Sequence, residues 1–197
     1  MNNSDFLSSV YAQNVELLLR LIPVVMSEGV FAIHGGSAIN LFHKNLPRYS
    51  VDIDLTYIPL ADRNTSVNDI NLHLESICSK AKRSIKGIHI VANYTTCKLL
   101  CEFRGMQVKV EVNQTKRGIV GGDVVTLPLC DKAQEEFGRY CEANLVPTTL
   151  LYGGKIAAAL SRQHPRDLFD VKYMDFPLEE CREGLIFCLL GSDIPIY

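Results

Sequence analysis

The sequence predicts an α+β protein in which helices and strands alternate up to about residue 145 and only helices follow. Three patterns support this: apolar residues at helical spacing near the N-terminus, strict two-residue alternation over residues 107–113, and a threonine-capped helix after Pro147. The chain has 197 residues, of which 47% are apolar, and this is enough for a sizeable core. We therefore expect a core of residues 1–145 and a helical C-terminal lobe of residues 146–197.

The first predicted helix covers residues 6–27, where apolar side chains recur at three- and four-residue intervals. A second helix is predicted over residues 67–84, with an apolar stripe expected at Ile70, Leu72, Leu74, Ile77 and Ala81. A short helix is expected from Ser37 to about Lys44. Further helices are predicted over residues 131–141, from 148 to about 162, from about 165 onward, and from about 178 to 190.

Strands are predicted over residues 30–34, around Asp52 and Asp54, and over residues 88–94, 97–103 and 107–113. The last two form a hairpin, because Gly105 supplies the positive φ that a tight connection often needs. Alternation puts three valines on one face of the second arm and, on the other face, Lys109, Glu111 and Asn113. Residues 127–129 are expected to be a connector.

Composition excludes several classes of protein. The net charge of −2 argues against a surface that is basic throughout, and no apolar run approaches the roughly 20 residues that span a bilayer. The N-terminus lacks the basic region of a signal peptide, so we expect a cytoplasmic protein with no membrane partner. The seven cysteines show no paired spacing, which favours reduced and mostly buried thiols over zinc or disulfides.

Asp52 and Asp54 are the most informative pair of residues in the chain. On a strand, side chains at positions i and i+2 share one face, so the two carboxylates lie together while Val51, Ile53 and Leu55 take the buried face. Their repulsion must be offset by cations, and hard oxygen ligands suit Mg²⁺ or Mn²⁺ that also hold phosphates. A solvated strand face is the structural alternative.

Gly35, Gly36 and Ser37 follow the first predicted strand and precede the short helix. Glycines at a strand end let the backbone approach a ligand, and the N–H groups of the helix start would then face a phosphate. An ordinary strand-to-helix turn is the alternative. We expect His34 to be a packed histidine, and Ser50 to contact metal or phosphate or to be simply a hydroxyl at a strand start.

Glu111 supplies a third carboxylate. It lies on the polar face of a strand that we expect near the Asp52/Asp54 strand, so it can complete the metal site. On an exposed antiparallel face, however, a glutamate needs no function.

These motifs, in this order, resemble those of the polymerase-β-like nucleotidyltransferase superfamily. Within it, the chain resembles the AbiEii family of nucleotidyltransferase toxins, which is related to the MenT toxins. The family pattern is a GG[ST] turn, a D-x-D strand, a lysine on a later helix and a [KR]-D-x-x-D segment, matched here by Gly35-Gly36-Ser37, Asp52 and Asp54, Lys155, and Arg166-Asp167-Leu168-Phe169-Asp170. The third carboxylate is a glutamate rather than an aspartate.

The resemblance implies a small mixed sheet flanked by helices, with the site in a cleft beside the helical lobe. It also implies that Asp52, Asp54 and Glu111 hold two Mg²⁺ or Mn²⁺ ions. Gly35, Gly36 and Ser37 would bind the β and γ phosphates of an NTP, and Lys155, assisted by Arg162, would bind the triphosphate. Asp167 and Asp170 would position those two cations or contact the base or ribose, although an Arg166–Asp170 surface pair is the structural alternative for the second aspartate.

The activity that the resemblance implies is transfer of a nucleoside monophosphate from an NTP to an RNA, at the 3′ end of tRNA. The protein would then be the toxin of a toxin–antitoxin or abortive-infection pair and would have a cognate antitoxin. A small-molecule nucleotidyltransferase of the aminoglycoside-modifying sort and a non-catalytic nucleotide-binding module are the alternatives. The basic segment of Lys80, Lys82, Arg83 and Lys86 is a candidate RNA contact or a solvated helix end.

Overall fold

The computed structural model describes the backbone of residues 3–191 and the side chains of residues 10–191. The side chains at the start of the first predicted helix, and residues 192–197 of the predicted lobe, therefore lie outside the described part of the chain. The helices are α1 (Asn3–Met26), α2 (Gly35–Ala38), α3 (Arg63–Ser84), α4 (Asp131–Phe137), α5 (Thr148–Arg162), α6 (Pro165–Lys172) and α7 (Arg182–Leu190). A π-helical turn, Ile39–His43, continues α2, and a 3₁₀ turn, Leu178–Cys181, precedes α7.

One sheet of seven strands forms the centre of the core. Its strands are β1 (Phe31–His34), β2 (Asp52–Tyr57), β3 (His89–Asn93), β4 (Lys98–Phe103), β5 (Met106–Val112), β6 (Val125–Pro128) and β7 (Glu142–Leu145). The spatial order is β3-β4-β5-β2-β1-β7-β6. Strand β2 is parallel to β5 and antiparallel to β1, so the sheet is mixed, as the family resemblance implies.

The two strands at one end of the sheet correct the sequence-based expectation. Leu127 and Pro128 of the predicted connector belong to β6, and the helix predicted to reach residue 141 ends at Phe137. Gly138 follows in the left-handed conformation with φ 58°, which is a common helix terminator. Residues 138–141 form a connection, and β7 follows it with only two buried side chains, so its alternation is too short to be recognised.

Helices α1 and α3 cover one face of the sheet. They pack against its alternating apolar residues, such as Leu99 on β4 and Val110 on β5. Helix α3 starts four residues before the predicted position, because Asp62 caps it by accepting hydrogen bonds from two backbone N–H groups. Leu72 was wrongly assigned to the apolar stripe: it is 65% exposed, whereas the other four members are fully buried.

The helical lobe depends on two glycines where α5 crosses α7. A Cβ added to Gly153 would lie 2.3 Å from the backbone nitrogen of Leu185, and one added to Gly184 would lie 2.3 Å from the carbonyl oxygen of Thr149. The two helices are therefore in backbone contact. Lys155, two residues after Gly153 on α5, is thereby held in the lining of a cleft.

Candidate active site

Strand register brings the predicted carboxylates together. In the parallel pairing of β2 with β5, Asp52 lies opposite Lys109 and Asp54 lies opposite Glu111. On the other side of β2, Asp54 lies opposite His34 of β1. The three acidic residues thus share the face of the sheet that α1 and α3 leave free, and the expected proximity of Glu111 to the aspartate pair is observed.

Asp52 lies in an environment that disfavours negative charge. Burial raises the pKa of Asp52, and the charge of Asp54 raises it further, while Lys109 and Arg166 oppose both effects. The net pKa is above the ordinary value. Burial also lowers the pKa of the half-buried His34 by more than Asp54 raises it, so this imidazole is neutral at pH 7.

Glu111 is held by two lysines. Its Oε1 lies 3.0 Å from the Nζ of Lys98, and its Oε2 lies 3.0 Å from the Nζ of Lys109. Burial raises the pKa of Glu111, but the hydrogen bonds from Lys109 and Lys98 outweigh that effect and bring its pKa below the ordinary value. Neither lysine was singled out from the sequence; the only signal was the alternation that puts Lys109 on the face of Glu111.

The glycine turn is shaped by the aspartate strand. Gly35 has a φ of 72°, and a Cβ added to it would lie 2.8 Å from the Oδ2 of Asp54. A Cβ on Gly36 would lie 2.8 Å from the Oγ of Ser50 and 2.9 Å from Nη2 of Arg48. Both glycines are therefore needed for the close approach of the turn to the polar side chains around β2.

The hydroxyl of Ser37 is used inside the protein. This buried side chain donates a hydrogen bond to the backbone carbonyl of Asp52, and its oxygen lies 3.1 Å from the hydroxyl of Ser50. Ser37 and Ser50 therefore join the glycine turn to the start of β2. The parts of the turn that remain for a ligand are its backbone N–H groups, since the first N–H groups of a helix have no intrahelical partner.

Lys155 lies between two buried aspartates. Its Nζ donates to Oδ1 of Asp167 at 2.9 Å and lies 3.1 Å from Oδ2 of Asp170. Arg162 also contacts Asp167, through Nε at 3.0 Å and Nη2 at 2.8 Å. Burial raises the pKa of Asp167, but Lys155 and Arg162 outweigh it, so the pKa lies below its ordinary value. The four residues predicted from the C-terminal motif are thus brought together.

Arg48 completes this network and was missed in the sequence. Its Nε donates to Oδ1 of Asp170 at 2.8 Å, and its Nη2 pairs with Oδ2 of the same carboxylate. Burial raises the pKa of Asp170, whereas hydrogen bonding to Arg48 and the charge of Lys155 lower it to below its ordinary value. Asp170 therefore faces inward, and the alternative of a surface pair with Arg166 is wrong.

The aspartate strand, the glycine turn and the lobe enclose one cleft of about 520 Å³. The sheet and the turn contribute one wall, and helices α5 and α6 contribute the other. Lys116 and Arg166 line the cleft without an ion pair to any described side chain. The charged residues of its lining are Arg48, Asp52, Asp54, Lys109, Glu111, Lys116, Lys155, Arg162, Arg166 and Asp167.

The donor set of β2 suits a hard divalent cation. Asp52 and Asp54 are adjacent carboxylates whose charge is only partly offset. Within residues 10–191, no three His, Cys, Asp or Glu side chains are arranged as a complete metal cage, and both oxygens of Glu111 contact lysines. One or two carboxylates that share an ion with substrate phosphates are a common arrangement for Mg²⁺, and the aspartate pair fits it.

The basic segment of α3 lies on the other side of the sheet. Helix α3 packs on the face opposite Asp52 and Asp54, and Lys80 forms an ion pair of 2.8 Å with Glu28. Lys82 remains exposed. A ligand held by this segment would therefore have to pass around the sheet to reach the cleft.

Comparisons with known proteins agree with this geometry. A family model described as the nucleotidyl transferase AbiEii toxin of type IV toxin–antitoxin systems matches residues 16–175. MenT4, a nucleotidyltransferase toxin from Mycobacterium tuberculosis H37Rv, has a similar structure, with a TM-score of 0.56 and 16% sequence identity. That match covers 80% of this chain and 56% of the MenT4 chain. No curated protein matches the chain.

The mixed sheet and the carboxylate-lined cleft define a protein with the nucleotidyltransferase fold, as the sequence predicts. The chain belongs to the AbiEii family of nucleotidyltransferase toxins, because the family model spans well over half of it. It spans little more than half the length of MenT4. In the described part of the chain, no helix is both long and apolar enough to cross a membrane.

Proposed function

We propose that this protein is a metal-dependent nucleotidyltransferase that moves a nucleoside monophosphate from an NTP to an RNA acceptor and releases pyrophosphate. One observation carries the proposal: the register of β2 and β5 puts Asp52, Asp54 and Glu111 on one wall of a cleft whose other wall carries Lys155 and Arg162. Paired carboxylates opposite cations are what a metal-bound triphosphate requires.

The nucleotide is proposed to lie between the glycine turn and the lobe. Backbone N–H groups of Gly35, Gly36 and Ser37 bind its terminal phosphates, because the two glycines let the backbone approach without a Cβ that would displace neighbouring side chains. Ser37 and Ser50 hold the turn in place through their mutual contact. On the opposite wall, Lys155 and Arg162 contribute positive charge, and Asp167 fixes both cations by accepting their hydrogen bonds.

Asp52 and Asp54 are proposed to hold Mg²⁺ or Mn²⁺, with Glu111 as a third ligand and with two ions bound together with the nucleotide. When bound, the metal neutralises the phosphates and lowers the pKa of the attacking hydroxyl. Each oxygen of Glu111 contacts one lysine and keeps a second lone pair, which is free for a metal ion. Asp170 contacts both Arg48 and Lys155, and it holds Lys155 in place through the second contact.

The acceptor is proposed to be the 3′ end of a tRNA, and its modification would arrest growth. This part of the proposal is supported by membership in a family of toxins from toxin–antitoxin systems, which also implies a cognate antitoxin. The net positive lining of the cleft is compatible with an anionic acceptor.

Label transfer tests the proposal. The protein is incubated with total tRNA, Mg²⁺ or Mn²⁺, and each of the four NTPs labelled on either the α- or the γ-phosphate. We expect the α-label but not the γ-label on RNA, and no label with Asp54→Asn. Transfer of the γ-label would indicate a kinase, and the absence of RNA label with every NTP would reject the proposal.

A further inference from the structure

The wall that carries the carboxylates continues beyond the cleft. Strand pairing aligns Asn93, Lys98, Glu111 and Asp54 in one row across β3, β4, β5 and β2. The neighbouring row, two residues along each strand, consists of Val91, Leu100, Lys109 and Asp52. Because alternate residues of a strand share a face, these rows form one surface that leads from the edge of the sheet to the aspartate pair.

This surface is open. Val91 is 51% exposed, and neither Val91 nor Leu100 belongs to the hydrophobic core, whereas their strand neighbours Ile90 and Leu99 pack into or against it. Helices α1 and α3 cover the opposite face of the sheet. A solvated face is common on an antiparallel sheet, but this face continues without a break into the cleft, and that continuity points to a ligand.

The charges of the surface favour a phosphate. Lys98 and Lys109 share the carboxylate of Glu111, and Lys109 also lies opposite Asp52. Once divalent ions offset the charges of Asp52 and Asp54, the two lysines leave this part of the surface with a net positive charge. Their side chains are 41% and 39% exposed. Each ammonium has three donors, so both lysines can bind a phosphate oxygen while they keep Glu111 in place.

We propose that this open sheet face, defined by Val91, Asn93, Lys98, Leu100 and Lys109, holds the single-stranded 3′-terminal segment of the RNA acceptor. The assignment rests on the proposed function. Lys98 and Lys109 bind backbone phosphates, and the Val91–Leu100 stripe contacts bases and riboses. Along these rows the terminal hydroxyl is led to Asp52 and Asp54, where the α-phosphate of the nucleotide lies.

Two properties of binding follow. The face presents aliphatic side chains rather than the aromatic platforms that stack bases strongly, so contacts to the bases are weak and tolerant of sequence. Phosphate contacts then dominate, and affinity falls with salt. For single strands, each lost phosphate contact reduces the slope of log affinity against log salt by about 0.7.

Two pairs of matched variants test the assignment. Lys98→Gln removes a cation from the open face, and Lys82→Gln removes an exposed cation from α3 on the opposite face. Val91→Glu adds a negative charge to the open face, and Leu72→Glu adds one to α3 at a comparably exposed position. The probe is a short fluorescein-labelled RNA with the sequence of a tRNA 3′ end, titrated by anisotropy over a range of salt concentrations, and label transfer is measured in parallel.

We expect Lys98→Gln to flatten the salt slope by about 0.7, and Lys82→Gln to leave it unchanged. Val91→Glu should raise the KM for RNA several-fold without changing the KM for the NTP, whereas Leu72→Glu should change neither. Because Val91 is three strands away from Asp52, a change limited to the KM for RNA distinguishes acceptor binding from damage to the metal site.

Three outcomes would overturn the assignment. The first is parent-like RNA binding by both open-face variants, and the second is weakened binding by the two α3 variants instead. The third is a parent protein that self-associates in sedimentation while Val91→Glu does not, since the face would then be an interface between copies. Label transfer by the parent protein is measured first. If the parent transfers no label to RNA, the proposed function itself fails, whatever the variants do.

Discussion

Arg48 and Asp170 form a two-nitrogen ion pair that joins the loop before β2 to helix α6. Nε of Arg48 lies 2.8 Å from one carboxylate oxygen, and Nη2 pairs with the other. The Asp170 side chain is 1% exposed, and it also faces Lys155. The buried carboxylate of Asp170 therefore connects the core to the helical lobe beside the cleft.

Arg48→Ala should destabilise the protein strongly, because it leaves Asp170 with one cation fewer in a buried site. Loss of one partner of a buried ion pair costs about 3–5 kcal/mol. Arg48→Lys should recover only part of this, since an ammonium cannot form the two-nitrogen contact. Urea unfolding measures the effect, with Arg166→Ala as a control that removes an arginine without an ion pair to Asp170. Equal unfolding free energies for Arg48→Ala and this control would contradict the prediction.

Asp52→Asn should abolish transfer and yet stabilise the metal-free protein. The folded pKa of Asp52 is above its ordinary value, so its ionised form costs folding free energy at every pH above that folded pKa. Removing the charge should raise the free energy of unfolding at pH 7 by a few tenths to about 1 kcal/mol, the scale of a like-charge pair on a strand.

The gain from Asp52→Asn should disappear below the ordinary pKa of 3.8, where the aspartate is protonated in both the folded and the unfolded protein. Thermal unfolding in EDTA at several pH values measures this, and Asp123→Asn, at an exposed position, is the control. If Asp52→Asn were instead less stable than the parent at pH 7, the carboxylate would have a stabilising partner within the protein. Its presence would then need no metal ion to explain it.

Acid should weaken the lobe through Asp167 and Asp170. Their folded pKa values are below the ordinary value of 3.8, so the stability they contribute is complete above pH 3.8 and is lost as the pH falls through the folded values. The free energy of unfolding of the parent should therefore decline below that pH more steeply than that of Asp167→Asn. Parallel pH curves for the two proteins would assign the acid sensitivity to other carboxylates.

The local part of the site could be predicted from the sequence. Two-residue alternation alone puts Asp52 and Asp54 on one face, and Gly35 and Gly36 indicate a close backbone approach. Glu111 was placed correctly because alternation marks the polar face of its strand, and the parallel register then puts it opposite Asp54.

The partners of these residues could not be predicted, because tertiary structure selects them. Arg48 meets Asp170 across 122 positions of sequence. Lys98 reaches Glu111 only through the register of β4 with β5. The i,i+4 spacing of Arg166 and Asp170 left a surface pair open as the alternative, and the packing of α6 decides that Asp170 faces inward. Strand β7 was missed because its four residues give too short an alternation to be recognised.

Lys155 tests whether the buried network also serves the nucleotide. Lys155→Ala should weaken NTP binding and slow transfer by orders of magnitude, because it removes a buried cation from the lobe wall of the cleft. Lys155→Arg should restore little, because a planar fork does not fit a site built for a compact ammonium between two aspartates.

Titration calorimetry with the NTP and Mg²⁺ measures the affinity of each Lys155 variant, and urea unfolding checks that the variant is folded. Arg162→Ala is the control, since its side chain is 61% exposed and contacts the same Asp167. It should lower NTP affinity less than Lys155→Ala. If folded Lys155→Ala binds the NTP as the parent does, this lysine is purely structural.

Gly35→Ala should abolish transfer through its effect on Asp54. The residue has a φ of 72°, and the new Cβ would lie 2.8 Å from Oδ2 of Asp54, so the carboxylate must move. Gly105→Ala is a matched control, because Gly105 has a φ of 82° and a Cβ there meets nothing within 4 Å. Both variants should lose about 1–2 kcal/mol of stability to left-handed backbone strain. Only Gly35→Ala should lose label transfer and Mn²⁺ affinity. If the two variants were equally active, the turn would not need to approach Asp54 closely for the reaction to proceed.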